Sequence, residues 1–379
     1  MQTNPSIGIL GGGQLGRMMQ EAALPLNIRL RFLDPSPDAP CSAFADQLQV
    51  GNWKDASTVA EFGQGCSALG IEFEDVSAEG IDQLEQAGIS CIPASNLLQL
   101  IQDKSEQKKF LQKAGIPTLP FQVIHSVHEI QEYPCILKKA KGGYDGYGVK
   151  KIESALEFPT QWSGPFVVEP LCRIKKEISV LVARNSEAEL AVWEPAEMVF
   201  NAQTHMVERI ISPGELTLEQ RQEAIQLGKD CALALKSTGI LAVEMFLTED
   251  DTWLVNEIAP RPHNSGHWTI EGSATSQFEQ YVRILSGLPL GSTESTGYSA
   301  TLNLLGAEDA DGTADEASAR QQLSGFPFIQ LHLYGKKQVK PHRKMGHITV
   351  VAKTAQELHE HLSKIPPNFL RISSLSSKP

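Results

Sequence analysis

Four stretches of this chain crowd together residue types that do chemistry. The first is "KGGYDGYG", Lys141–Gly148, with glycines at 142, 143, 146 and 148 and with Lys138, Lys139 and Lys141 close by. Backbone N–H groups approach phosphate oxygens closely where no side chain intervenes, so the segment suits a flap over phosphates. Taken alone it reads more readily as a flexible hairpin tip, and it lacks the G-x-x-x-x-G-K-[ST] pattern of a P-loop. The second is the pair Glu244 and Glu257. If Asp250 and Asp251 form a two-residue turn, Glu244 lies opposite Glu257 and Leu247 opposite Leu254. Like charges placed opposite each other need a cation between them. Mg²⁺ shared with nucleotide phosphates fits, with Asn256 as a third oxygen ligand; the alternative is that one glutamate points to solvent. The third is "NEIAPRPHNSGHWT", Asn256–Thr269, which packs Arg261, His263, Asn264, Ser265 and His267 into a loop after a strand. Each histidine taken singly reads as structural, and their spacing matches no zinc motif. The fourth is the basic run "KKQVKPHRK" with Lys336, Lys340, Arg343 and Lys344, which alone reads as a solvated face.

These groups must be held by folded elements. "GILGGGQLGRMM" carries Gly11-x-Gly13-x-x-Gly16 between a strand and a helix, and Asp34 ends the next apolar run. That is a dinucleotide-binding signature. The first hundred residues alternate short strands with helices, which predicts a parallel sheet. From residue 103 the order is a lysine-rich helix closed by Gly115, "CILKKA", the flap, "VKKI", "PFVVEPL" and "EISVLVARN". A long helix over "TLEQRQEAIQLGKDCALALKSTG" and a carboxylate hairpin follow. A shift to Gly, Ser, Thr and Glu over 286–320 marks a boundary before a β-rich end. The expected fold class is α/β and α+β multidomain: 1–102 Rossmann-like, 103–180 a small lobe with the flap, 181–290 a large lobe with the metal site, 291–379 a β-rich domain.

The 379 residues carry a net charge of −12 and are 41% hydrophobic, which argues against a broad nucleic-acid surface. A basic patch on such an acidic chain suits one small anionic ligand. The six cysteines are scattered with no C-x-x-C pair, so free thiols in a reducing cytoplasm are expected. No apolar run approaches membrane length.

The order of a Rossmann-like start, a lysine helix, a glycine flap and two carboxylates ending in N-E-x-x-P-R resembles the ATP-grasp superfamily. The details "GGGQLGRM", "EFE", "GGYDGYG", "NEIAPRPHNSGHWT" and "YGK…RKMGHIT" resemble its 5-(carboxyamino)imidazole ribonucleotide synthases over essentially the whole chain. The resemblance implies an ATP-grasp ligase of purine biosynthesis acting on ATP, bicarbonate and 5-aminoimidazole ribonucleotide, with two Mg²⁺ ions and no NAD or biotin. It also implies a cytoplasmic homodimer without nucleic-acid or membrane partners. Lys104 and Lys138 would meet ATP phosphates under a flap of Gly143, Tyr144, Asp145, Gly146 and Gly148. Glu169 and Leu171 would form the adenine hinge, and Glu177 would meet the ribose. Glu244 and Glu257 would hold metal, with Asn256 alongside. Gln14, Leu15, Glu72, Asn264, Ser265, Lys336, Arg343 and Lys344 would face the ribonucleotide. Tyr144, Asp145, Arg261 and Lys336 would serve catalysis. Two positions depart from the family pattern: Tyr147 stands where the flap carries arginine, and Phe200 where a histidine is common. A formate-using glycinamide ribonucleotide transformylase would share most motifs, whereas an NAD-dependent oxidoreductase explains only the first 35 residues.

Overall fold

The computed structural model describes residues 6–143, 148–200 and 207–375. The N-terminal part is a five-stranded parallel sheet in the order Leu48–Val50, Leu30–Asp34, Ser6–Leu10, Cys66–Ile71, Ser90–Ile92. Parallel strands are buried on both faces and so need cover on both. Val59, Phe62, Ile81 and Leu84 from two helices cover one face, against Leu10, Leu33, Leu69 and Ile71. The other face, with Ile7, Ile9, Phe32 and Ala68, is covered by helix Gln14–Ala23 and by Phe278, Tyr281, Val282 and Leu285 of a helix far along the chain.

The small lobe is a four-stranded antiparallel sheet in the order Gln122–Ile124, Phe166–Pro170, Cys135–Lys139, Val149–Ile152. Helix Lys104–Lys113 enters it through an N-cap at Asp103, whose carboxylate accepts the Ser105 and Glu106 amides. Gly115 ends that helix region with φ +72°, which glycine adopts without steric cost. The Lys104 amide donates to the Ala140 carbonyl (2.8 Å), fixing the helix start against the end of the Cys135–Lys139 strand.

A ten-stranded sheet forms the rest. Its main path runs Trp253–Ala259, Gly239–Thr248, Ile174–Arg184, Ala196–Phe200, Val207–Ser212, Tyr298–Gly306, Lys344–Ala352, Ile329–Leu333. Strand Val207–Ser212 pairs with Tyr298–Gly306, so the sheet continues unbroken past the compositional shift at 286–320. Helix Leu218–Leu235 begins with a reciprocal Thr217–Gln220 capping box and packs on this sheet. Among the described residues no helix is long and apolar enough to cross a membrane.

Candidate active site

The carboxylate hairpin forms, but not with the expected turn. The Thr248 amide bonds to the Thr252 carbonyl, and Asp251 takes φ +58° in a three-residue loop. Leu254 therefore faces Phe246, and Leu247 faces Trp253; the expected Leu247–Leu254 pair is wrong. Glu244 nevertheless lies opposite Glu257, because the register shifts by one residue between Glu244 and Met245. The extra residue is Asn256. Such a bulge re-aims neighbouring side chains, and here Asn256 and Glu257 both meet lysines arriving from the small lobe. Lys138 Nζ donates to Asn256 Oδ1 (2.9 Å) and pairs with Glu169 (2.7 Å), while Lys104 pairs with Glu257.

Behind them Glu169, 1% exposed, is also paired with Lys108 at 2.5 Å. Lys108 donates to the Thr118 hydroxyl (2.7 Å), which in turn donates to the Val255 carbonyl (2.7 Å). The chain thus buries two lysines on one glutamate directly behind the bulge. Burial would raise the Glu169 pKa, but Lys138 and Lys108 together hold it below its usual range. Glu257 is likewise held low by Lys104 against the effect of burial. Glu244 behaves oppositely: burial, then Glu257 and Glu177, push it up to about 8. Burial also pushes Glu177 up to about 7, against the pull of Lys138. Three carboxylates, Glu177, Glu244 and Glu257, thus share one sheet face, and burial together with the neighbouring carboxylates favours the protonated form of Glu244.

The loop after the hairpin links this cluster to a second one. His263 Nε2 lies 3.5 Å from Glu244 Oε1, and its Nδ1 shares a hydrogen bond with Ser265 (2.8 Å). Ser265 is 2% exposed and also bonded to Ser179 (2.7 Å), so its hydroxyl is held between His263 and Ser179. Next along, Asn264 Oδ1 accepts from Gln14 Nε2 (3.0 Å), and Gln14 Oε1 accepts from Lys336 Nζ (2.7 Å). The same ammonium donates to the Lys344 carbonyl (2.7 Å). Gln14, Asn264 and Lys336 are far apart in the sequence and meet at one place. Arg261 pairs with Glu74 at 2.8 Å.

Other expected residues are arranged differently. Both Glu72 oxygens are engaged: they accept the Gly13 amide at 2.5 Å and the Leu15 amide at 2.9 Å. Leu15 is itself buried, so its amide faces Glu72. Arg343 is exposed and donates to the Gln338 carbonyl (2.7 Å) at the edge of the basic turn, while Lys344 is half-buried. Leu171 lies between the last strand of the small lobe and the first of the large sheet. Gly143 and Gly148 flank the flap; Tyr144, Asp145, Gly146 and Tyr147 lie outside the described residues. Phe200 ends strand Ala196–Phe200 and is half-buried.

Sequence reasoning missed Lys108 and Glu74 and gave His263 no role. Lys108 follows Lys104 by four residues, one helical turn on the same face, and that spacing was the available signal. Nothing in the sequence alone ties Glu74 to Arg261.

The ATP-grasp family model matches residues 109–278, the ribonucleotide synthetase preATP-grasp domain matches 4–102, and the phosphoribosylaminoimidazole carboxylase C-terminal domain matches 299–361. Fold and site together define an ATP-grasp ligase. The N5-carboxyaminoimidazole ribonucleotide synthase of Bacillus subtilis is 34% identical, over 93% of this chain and 92% of that protein. The chloroplastic phosphoribosylaminoimidazole carboxylase of Vigna aconitifolia is also 34% identical; this chain spans 94% of itself and 66% of that longer protein. The crystal structure of N5-carboxyaminoimidazole ribonucleotide synthetase from Thermotoga maritima superposes with a TM-score of 0.88 at 34% identity, over 98% of this chain and 100% of that one. The Aspergillus clavatus synthase in complex with ADP and 5-aminoimidazole ribonucleotide gives 0.86 at 31%, over 96% and 97%. The chain belongs to the N5-carboxyaminoimidazole ribonucleotide synthase family.

Proposed function

We propose that the two linked clusters divide the reaction between them. The chain is an ATP-dependent ligase that converts 5-aminoimidazole ribonucleotide to its N5-carboxylated form. Bicarbonate attacks the γ-phosphorus of ATP, releasing ADP and leaving carboxyphosphate. The exocyclic amine then takes the carboxyl group, and phosphate and a proton leave. Phosphoryl transfer is chiefly a matter of positioning and charge neutralisation. Lys104 and Lys138 bind the phosphates, while the backbone from Glu169 to Leu171 takes the adenine and Glu177 the ribose. Glu244, Glu257 and Asn256 are a fitting oxygen set for Mg²⁺, because the two carboxylates face each other across the hairpin and a cation between them would offset their repulsion. When bound, Mg²⁺ neutralises charge on the phosphate oxygens. Arg261, held by Glu74, serves the bicarbonate. Gln14, Asn264 and Lys336 bind the ribonucleotide, and Arg343 and Lys344 lie on its phosphate side. The family pattern carries the flap roles of Tyr144 and Asp145, with Asp145 orienting the amine. Homodimer assembly and a cytoplasmic setting belong to the same reading.

The observation that supports this most is the 261–267 loop, which puts His263 on Glu244 and Asn264 on Gln14. One short segment thereby joins a phosphate and metal half to an amine half. The test is ADP release with Mg-ATP, bicarbonate and the ribonucleotide, each omitted in turn. Ribonucleotide-stimulated ADP release with an acid-labile carboxylated product is expected. Turnover only with glycinamide ribonucleotide and formate would reassign the substrate.

A further inference from the structure

Behind the Gln14–Asn264–Lys336 junction lies a buried aromatic and imidazole cluster with no part in the roles above. His332, His347 and His267 stack in series, with ring centroids 4.4 Å and 4.7 Å apart. His347 and His332 face each other across adjacent strands of the large sheet, and His267 comes from the 261–267 loop. At the outer end His332 Nε2 lies 2.7 Å from Glu271. In the middle, His347 Nδ1 shares a 2.9 Å hydrogen bond with the Tyr334 hydroxyl. His347 is 0% and Tyr334 1% exposed. The Tyr334 ring lies beneath the Lys336 ammonium, 5.3 Å from its centroid.

Traced in order, these contacts close a circuit. Asn264 holds Gln14, Gln14 holds Lys336, Lys336 sits over Tyr334, Tyr334 bonds His347, and His347 stacks on His267. Two residues of loop, Ser265 and Gly266, lead from His267 back to Asn264. A lysine side chain has four rotatable bonds and loses much freedom when fixed. An ammonium seated on a ring, with that ring pinned by its own hydroxyl, is fixed before the ligand arrives. The buried Tyr334–His347 pair costs desolvation that an apolar pair of the same shape would not, which is hard to account for by packing alone.

We propose that Tyr334 and His347 are positioning residues for ribonucleotide binding: their hydrogen bond orients the Tyr334 ring and, through it, Lys336. This rests on the assignment of Gln14, Asn264 and Lys336 to the ribonucleotide. The experiment is steady-state kinetics on the full chain, varying the ribonucleotide at saturating ATP and bicarbonate, then ATP at saturating ribonucleotide. Tyr334→Phe keeps the ring under Lys336 and removes only the hydroxyl; His347→Phe keeps a stacking ring and removes the hydroxyl's hydrogen-bond partner. Each single variant is expected to raise KM for the ribonucleotide roughly tenfold and to leave KM for ATP within about twofold. The double variant should be no worse than the weaker single, because both remove one hydrogen bond. Should His347→Phe fail to fold, Tyr334→Phe decides alone. An unchanged ribonucleotide KM in Tyr334→Phe, or equal shifts for both substrates, overturns the proposal. Lys336→Ala separates the two readings. If it leaves the ribonucleotide KM unchanged, the half-site assignment fails; if it raises that KM while Tyr334→Phe does not, only the positioning role fails.

Discussion

At Glu244 burial and the facing Glu257 act in the same direction, and the carboxyl is pushed from about 4.5 up to about 8. A group whose folded pKa lies above its unfolded value stabilises the fold fully below the unfolded pKa. That contribution is lost as pH rises through the folded pKa. For Glu244 the window runs from about pH 4.5 to about pH 8, so at pH 7 the protonated form is the favoured one. A divalent cation that takes Glu244 as ligand must expel that proton. Mg-ATP binding at pH 7 should therefore release about one proton per site, read by titration calorimetry in two buffers of different ionisation enthalpy. Glu244→Gln should abolish the release; wild-type binding with no proton released would remove Glu244 from the metal site. The opposition of Glu244 and Glu257 was legible in the sequence, but partly by cancellation. The turn is one residue longer than expected, and the Asn256 bulge restores the register at the carboxylates while leaving Leu247 and Leu254 apart. A strand's alternation of apolar and polar residues does not announce an inserted residue, so the bulge was not readable.

The N-terminal strand, loop and helix show the same limit at the scale of an element. The glycine fingerprint correctly gave a strand, a tight turn and a helix, yet its amides are already engaged within the chain. Glu72 from the neighbouring strand end sits at the helix N-terminus and accepts the Gly13 and Leu15 amides, and Asp34 accepts the Gly12 amide at 2.9 Å. A helix N-terminus attracts any anion, and a carboxylate serves as well as a pyrophosphate. The glycines are required by that carboxylate: a Cβ on Gly13 would lie 2.3 Å from Glu72 Oε1, and one on Gly11 2.6 Å from Glu72 Oε2. Glu72→Ala leaves buried amides without an acceptor and should cost roughly 1–3 kcal/mol, seen as a lowered thermal midpoint. Gly13→Ala should destabilise the wild-type protein but be close to neutral in the Glu72→Ala background, since the clash goes with the carboxylate. Additive losses in this cycle would mean that Gly13 is needed for another reason. The sequence showed glycines at fingerprint spacing and "EFE" some 60 residues later; that one fills the other depends on two parallel strands lying side by side.

At the scale of the whole molecule, the boundary expected near residue 102 is a change of sheet rather than a gap between cores. One face of the N-terminal sheet packs against Phe278, Tyr281, Val282 and Leu285 as well as its own helix, in a cluster that also holds Leu181, Ala183 and Trp193 of the central part. Tyr281 ties the two together: its hydroxyl donates to the Ile92 carbonyl at 2.5 Å and accepts the Ile71 amide at 3.0 Å. Gly70 leaves room for that hydroxyl, since a Cβ there would lie 2.9 Å from it. A sheet that borrows cover for one face from another part of the chain does not unfold on its own. The N-terminal and central parts should therefore melt in a single transition, followed by circular dichroism and by tryptophan fluorescence from Trp53 in the first part and Trp193 and Trp268 in the second. Tyr281→Phe orphans a buried amide and a buried carbonyl and should cost roughly 1–3 kcal/mol, moving that transition down as a unit. A fragment of residues 1–102 should remain unfolded, because the face with Ile7, Ile9, Phe32 and Ala68 would lose the cover of Phe278, Tyr281, Val282 and Leu285 and keep only that of helix Gln14–Ala23. Were the fragment to fold with a sharp transition, or Tyr281→Phe to split the melt in two, the shared core would be a contact between independent domains.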